Sequence, residues 1–246
     1  MVKHSYEIEI KSLLGGKETA DALVAKMRKA DRNLKALGSH SQLNHYFDGG
    51  NLKKLYEKMS PMLSGDYKTK LDDLSQRAKD FSVRTRQADG RVILVVKATV
   101  DDTTSENGTA RIEFESTMSS PSPLAGEGDQ RAGDKKQNIM TIDDLDNLIL
   151  ETGFSYQAKW SRERNDYKFK DLNVSIDKNA GYGYLAEFEK ILEDESGATE
   201  AKQLIRDLMA ELEITELPQD RLARMFHFYN KNWQDYYGTE KTFTIE

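Results

Sequence analysis

The 246-residue chain contains no cysteine, 4 prolines and 4 histidines. The absence of cysteine excludes a disulfide framework and a thiolate metal site. The longest apolar run, Val92 to Val96, is far shorter than the roughly 20 residues that a membrane helix needs. No apolar targeting region separates Lys3-His4 from the first strand pattern. We therefore expect a cytoplasmic protein without a membrane partner.

The charge balance and the histidines narrow the possible ligands. A total of 36 Lys and Arg against 42 Asp and Glu gives a net charge of −6, which argues against nucleic-acid binding by bulk electrostatics. Because the histidines are scattered without ligand spacing, any metal would be held by carboxylates, and oxygen-only ligation favours Mg²⁺ or Mn²⁺. The histidines are His4, His40, His45 and His227.

Five segments place charged residues two positions apart. Alternate residues of a β-strand point to one face, so each segment would carry its charges on one side and apolar residues on the other. An ordinary surface strand shows the same pattern, but its repetition suggests one shared charged interior. The segments are Glu7-Ile8-Glu9-Ile10-Lys11, Val83-Arg84-Thr85-Arg86, Arg111-Ile112-Glu113-Phe114-Glu115, Arg162-Glu163-Arg164 and Glu187-Phe188-Glu189.

An interior of this kind needs balanced charge. Carboxylates about 7 Å apart on one strand face repel by roughly 2 kcal/mol at an effective dielectric near 20. The acids and bases could neutralise each other as internal salt bridges, although a buried charge array is less favourable than apolar packing unless every member is satisfied. Alternatively, the bases bind phosphate oxygens and the acids hold a divalent metal.

The motifs resemble the CYTH family, also called triphosphate tunnel metalloenzymes. The shared elements occur in the family's order over roughly residues 5–190: E-x-E-x-K, R-x-R, a lysine closing an apolar strand (Ile93 to Lys97), R-x-E-x-E, and an Asp followed by E-x-E. The resemblance implies an α+β fold, a closed antiparallel eight-stranded β-barrel (a tunnel) with helices packed outside. The family groups class IV adenylyl cyclases with thiamine and inorganic triphosphatases.

The resemblance also implies a role for each charged residue. Glu7, Glu9, Glu187 and Glu189 would bind the metal, helped by Glu115 and Asp177, and Glu113 completes the acidic candidates. Glu7, Glu9, Lys11 and Lys97 are the candidate catalytic residues. Lys159 and Arg162 have opposite parity, so only Arg162 shares a regular strand face with Arg164. The candidate triphosphate ligands are Lys11, Arg84, Arg86, Lys97, Arg111, Arg162 and Arg164.

A β-hairpin provides an internal test of this interpretation. Asp89-Gly90 is a strong two-residue turn signal between residues 82–88 and 91–100. A two-residue loop would place Arg84, Arg86 and Lys97 on one face. The same arithmetic at Asn107-Gly108 would put Lys97 and Glu115 on opposite faces, so we expect a longer or bulged connection there.

The remaining chain predicts helices and one insertion. We expect a tunnel domain over residues 1–195, with a flexible insertion at 117–137, and a helical extension over 196–246. Thr141 and Asp144 form a capping box for one helix. Phe226, Tyr229, Trp233 and Tyr236 are spaced to pack on the barrel or, less favourably, to stack on a base. Other elements predicted are a helix running to Gly38, a strand at 42–48, and helices at 52–59 and 70–80.

The sequence therefore predicts a divalent-metal-dependent triphosphatase that acts on a small triphosphate-containing molecule. An adenylyl cyclase needs the same groups and stays open as an alternative, as does a barrel that binds polyphosphate or nucleotide without catalysis. We expect a monomer or a homodimer.

Overall fold

The computed structural model describes residues 6–99, 111–119 and 140–246. Within these ranges the chain forms eight strands and six α-helices. The strands are β1 (Tyr6–Gly15), β2 (Lys35–Gly49), β3 (Asp80–Ala88), β4 (Arg91–Thr99), β5 (Arg111–Thr117), β6 (Phe154–Phe169), β7 (Leu172–Asn179) and β8 (Gly183–Leu192). The helices are α1 (Lys17–Ala30), α2 (Leu52–Met59), α3 (Gly65–Arg77), α4 (Ile142–Leu150), α5 (Ala198–Glu211) and α6 (Gln219–Asn232).

The strands pair antiparallel in the order β1-β5-β4-β3-β2-β6-β7-β8, and β1 also pairs with β8, so the sheet closes into a ring. Helices α2, α3 and α4 cover the outer face around β3, β4 and β5. Helices α1 and α5 cover β1, β7 and β8. Helix α6 packs on Trp160 and Tyr182. The expected α+β class is confirmed, and no described helix combines the length and apolarity needed to cross a bilayer.

The hairpin register agrees with the sequence arithmetic. Asp89 and Gly90 have φ of 51° and 72°, as a type I′ turn requires. Arg84 pairs with Val95 and Ser82 pairs with Lys97. On the next strand Lys97 pairs with Glu113, so the register is not that of a two-residue Asn107-Gly108 loop. The loop residues themselves lie outside the described ranges.

The predicted helix running to Gly38 is wrong. Helix α1 ends at Ala30, and Asp31 adopts an extended conformation (φ −138°, ψ 107°). The Asp31 carboxylate accepts hydrogen bonds from the backbone N–H groups of Asn33 and Lys170, which fixes this change of direction. Pairing with β6 then holds the chain from Lys35 onwards as a strand. Long-range strand pairing therefore overrides the local apolar spacing of Leu34 and Leu37.

Other predicted boundaries fare differently. Helix α2 has the expected bounds, and the capping box of Thr141 and Asp144 is present. The helix predicted at 70–80 starts earlier and ends at Arg77, because β3 begins at Asp80. The predicted insertion starts too early: Thr117 ends β5, and the N–H of the buried Met118 donates to the Val92 carbonyl at 2.8 Å. Residues 120–137 lie outside the described ranges.

Candidate triphosphate site

Because side chains alternate along each strand, the charged residues point into the interior of the ring. In β1, Ile8 and Ile10 are fully buried beneath the outer helices. Glu7, Glu9 and Lys11 occupy the alternate positions and line an interior cavity of about 770 Å³. The same sequence pattern that buries one side of the strand under helices therefore supplies the ionisable side of the cavity.

The predicted convergence of charges in one cavity is confirmed. All five charged segments contribute to its wall, although they are far apart in sequence. The predicted site residues that line it are Glu7, Glu9, Lys11, Arg84, Arg86, Lys97, Glu113, Glu115, Arg162, Arg164, Glu187 and Glu189.

Three further residues complete the comparison with the sequence. Asp177 is fully buried and bonds to Arg162 and Arg164. Lys159 lies away from the cavity, with its Nζ 4.3 Å from the centroid of the Tyr156 ring, so Arg162 is the residue that joins Arg164 inside. Arg111 belongs to β5 by its backbone, and its side chain lies outside the described part of the structure.

One half of the cavity is centred on Lys97. Its Nζ lies 2.7 Å from Glu7 Oε2 and 3.5 Å from Glu113 Oε1. Arg84 approaches the same Glu113 carboxylate at 3.2 Å and donates to the Tyr46 hydroxyl at 2.7 Å. The Nε of Arg84 is buried and has no hydrogen-bond partner among the described residues. This half therefore contains a donor that the described part of the chain leaves without a partner.

The two carboxyls of this half share a hydrogen bond. Burial, together with that bond, raises the pKa of Glu7 to about 8. Burial also acts to raise the pKa of Glu113, but the bond from Glu7 and the charges of Lys97 and Arg84 outweigh it, so the pKa of Glu113 is about 2. Glu7 is therefore the protonated member of the pair near neutral pH, and a cation bound here would compete with that proton.

The other half is organised around Asp177. Its carboxylate accepts from Arg162 Nη1 at 2.9 Å and from Arg164 Nε at 2.7 Å. Arg164 also contacts Glu187, which lies 3.3 Å from Lys11 Nζ. Burial lowers the pKa of Lys11, and Glu187 partly offsets that effect. Asp177 thus holds the guanidinium groups of Arg162 and Arg164 in fixed positions.

The carboxylates of the cavity are suitable metal ligands, but their present positions do not form a metal site. Glu9 and Glu189 are direct partners across β1 and β8, and Glu189 is close enough to Glu7 to contribute to its raised pKa. Oxygen donors of this kind fit Mg²⁺ or Mn²⁺. Within the described ranges, however, no three acidic or histidine side chains converge closely enough to hold an ion. Metal binding would require Glu7 to turn away from Lys97, and Glu9 to turn away from Lys11 and Lys97.

Sequence reasoning missed the uncharged part of the wall. Arg86 Nε donates to Asn44 at 3.2 Å and Arg162 Nε donates to Gln42 at 2.8 Å. With Tyr46, these residues form an alternating polar set on β2, which was a usable signal. Helix α6 also lines the cavity, through Gln219, Leu222, Ala223 and Phe226.

Comparison with known families assigns the chain. The family model described as "CYTH domain" matches residues 5–221. The chain therefore belongs to the CYTH domain family. That family includes triphosphatases and adenylate cyclases, binds triphosphate substrates and generally uses divalent metals. No curated protein matched the sequence.

Solved structures agree on the fold. The PH1012 protein from Pyrococcus horikoshii OT3 has 16% sequence identity and a TM-score of 0.53, with 85% of this chain and 91% of that chain covered. The PH1819 protein from the same organism has 18% identity and a TM-score of 0.54, with 86% and 92% covered. At these identities the likeness concerns the fold alone.

Proposed function

We propose that the protein is a divalent-metal-dependent enzyme that hydrolyses a triphosphate inside the closed ring, which then acts as a tunnel. The unused Nε donor of Arg84 carries this proposal. It is buried in the wall of a 770 Å³ cavity, and a buried unsatisfied donor is unfavourable by about 1–3 kcal/mol. A phosphate oxygen would satisfy it and would accept from the other cations of the wall as well.

The cations would share the substrate between them. Guanidinium groups bind phosphate oxygens with two donors in a fixed geometry. Arg162 and Arg164 are already oriented by Asp177, and Arg84 is oriented by Tyr46. Their positions are therefore set before the substrate arrives, which limits the entropy lost on binding. Lys11 and Lys97 would offset the negative charge that develops on the transferred phosphoryl group.

The acids would hold the metal. We assign Glu7, Glu9, Glu187 and Glu189 as its ligands, supported by Glu113 and Glu115. The bound ion would neutralise phosphate charge and activate the attacking oxygen. To bind the metal, Glu7 would have to lose its proton and break its contact with Lys97. We assign Asp177 to positioning the arginines, because both of its oxygens are engaged by them.

Two alternatives share this cavity. If the attacking oxygen is a ribose hydroxyl rather than water, the same groups make an adenylyl cyclase. A barrel that binds polyphosphate or nucleotide without catalysis would need the cations but not so many carboxylates. Purified protein with Mg²⁺ or Mn²⁺ should release phosphate from tripolyphosphate or ATP. Cyclic AMP with pyrophosphate from ATP would identify the cyclase, and tight binding without any turnover would identify the third class.

Glu9→Gln tests the metal role directly. The change keeps the size of the side chain but removes a ligand charge, so turnover should fall by more than about tenfold, with partial recovery at high Mn²⁺. Glu163→Gln is the matched control, because Glu163 lies on β6 with its side chain 63% exposed. Full turnover of Glu9→Gln across a Mg²⁺ titration would contradict the assignment.

A further inference from the structure

The charged cavity adjoins a smaller space of about 120 Å³ with a different wall. The two spaces share six lining residues, including Lys11 and Arg162. The smaller one, which we call the aromatic pocket, is lined by Tyr46, Trp160, Tyr182, Leu185, Leu222 and Phe226, besides polar residues of the tunnel wall. A group bound there would lie next to phosphates held by Lys11 and Arg162.

The local sequence explains this placement. Trp160 precedes Arg162 by two residues on β6, so both side chains lie on one strand face. Tyr182 lies in the turn between β7 and β8. Leu222 and Phe226 are four residues apart and share one face of α6. Phe226 is 37% exposed, and its ring lies at 13° to the ring of Trp160, with centroids 6.4 Å apart. Near-parallel aromatic faces suit a flat ring.

Two polar atoms in this wall are left unbonded by the part of the chain that the structure describes. Trp160 Nε1 and Tyr182 Oη are buried and lack hydrogen-bond partners among the described residues, and these side chains are 8% and 7% exposed. Buried Trp and Tyr usually find a partner for these groups. The neighbouring Tyr229 does so: its hydroxyl donates to the Lys159 carbonyl at 2.8 Å. The contrast points to a ligand rather than to packing.

We propose that the aromatic pocket binds a flat heteroaromatic ring carried by the substrate, and that the ring has hydrogen-bonding atoms for Trp160 and Tyr182. The substrate would then be an organic triphosphate rather than inorganic tripolyphosphate. This inference rests on the proposed function and adds the class of substrate to it. Burial raises the pKa of Tyr182, so its hydroxyl stays neutral and can donate or accept. A nucleobase and the rings of thiamine share this chemistry.

Equilibrium binding tests the inference without turnover. ATP, thiamine triphosphate and tripolyphosphate are titrated calorimetrically into the full-length protein in EDTA. We expect ATP or thiamine triphosphate to bind more tightly than tripolyphosphate, and the stronger of the two identifies the ring. Phe226→Ala should lower the ratio of organic to inorganic affinity by about tenfold or more, because stacking on an aromatic side chain contributes strongly to binding. The ratio of kcat/KM values with Mg²⁺ should fall in the same way.

Phe228→Ala provides the matched control. Phe228 lies on the same helix but contacts Tyr236 and Phe243, so its loss should leave the ratio unchanged. Phe226 is suitable for the test because it is partly exposed, so its replacement should leave the fold intact. Trp160→Phe is a second variant, which keeps an aromatic ring but removes the N–H group. Equal affinity for all three ligands, with no change of ratio in Phe226→Ala, would overturn the inference and leave the proposed function intact. No binding of any triphosphate would overturn both.

Discussion

Asp146, on the side of α4 that faces the outside of the sheet, is fully buried, and Arg84, on the inner face, is 11% exposed, yet their hydrogen bonds differ. Asp146 accepts from Thr85 at 2.7 Å and from Tyr156 at 2.7 Å, and it contacts His45 Nδ1 at 2.6 Å. Arg84 has partners for two of its nitrogens, but its Nε has none among the described residues. Thr85, which bonds to Asp146, is the residue next to Arg84 on β3, so the difference is local.

We interpret the difference as one between polar groups that stabilise the fold and polar groups that are available to the proposed ligand. A buried network that is fully bonded rigidifies its surroundings. Asp146 ties α4 to β2, β3 and β6 in this way, and His45 Nε2 extends the network to the Tyr237 hydroxyl at 2.9 Å. The inner charges surround a cavity instead. Changes to the outer network should therefore reduce stability, whereas changes to the inner wall should reduce binding.

The largest effect is expected for Asp146→Ala. The change leaves His45, Thr85 and Tyr156 without their shared acceptor in a buried site. The free energy of unfolding should fall by about 3 kcal/mol or more, measured by chemical denaturation. Asp144→Ala on the same helix is the control: Asp144 is an exposed capping residue, and its loss should cost about 1 kcal/mol. An equal or smaller loss for Asp146→Ala would mean that the outer network does not stabilise the fold.

Arg86→Ala should have the opposite profile. It removes one of the proposed phosphate contacts, so tripolyphosphate binding should weaken by roughly 1.5–3 kcal/mol. Burial and the nearby charge of Arg84 lower the pKa of Arg86 to about 10, so removing this cation relieves repulsion and the free energy of unfolding should change by less than about 1 kcal/mol. Calorimetry in EDTA measures the first quantity and denaturation the second.

Arg91→Ala is the arginine control for this comparison. Arg91 lies on the neighbouring strand, is 62% exposed and does not line the interior cavity. Its loss should leave binding within about twofold. If Arg86→Ala unfolds the protein, or if both variants weaken binding equally, the inner wall does not differ from the outer network in the way argued above.

The sequence predicts which residues line the inner face of the sheet better than it predicts that α6 also lines the cavity. Alternation within a strand determines which residues share a face, and a two-residue turn at Asp89-Gly90 was enough to place Arg84 and Lys97 on the same face. Neither signal is available for α6, whose Leu222 and Phe226 reach the cavity from a distant part of the chain. The end of α1 was mispredicted for a related reason, because pairing of β2 with β6 outweighs local periodicity.

The sequence also could not predict which charged side chains contact each other. The motif resemblance placed Asp177 among the metal ligands, and only the structure brings its carboxylate against Arg162 and Arg164. Likewise, the alternation of β2 shows that Gln42, Asn44 and Tyr46 share a face, but not that they hold the arginines. Side-chain contacts between strands depend on register and shear, which no single segment contains.

The smallest effect is expected for the segment 120–137, which lies outside the described ranges. Replacing residues 120–137 by a short Gly-Ser linker should change the free energy of unfolding by less than about 1 kcal/mol, because closure entropy varies slowly with loop length. The value of kcat/KM should stay within about twofold. A deletion that starts at 117 is the informative comparison, since it also removes Met118, which is 4% exposed and packs in the outer core. That variant should lose about 2 kcal/mol or more. A large fall in turnover for the 120–137 replacement, with unchanged stability, would instead make this segment part of the site.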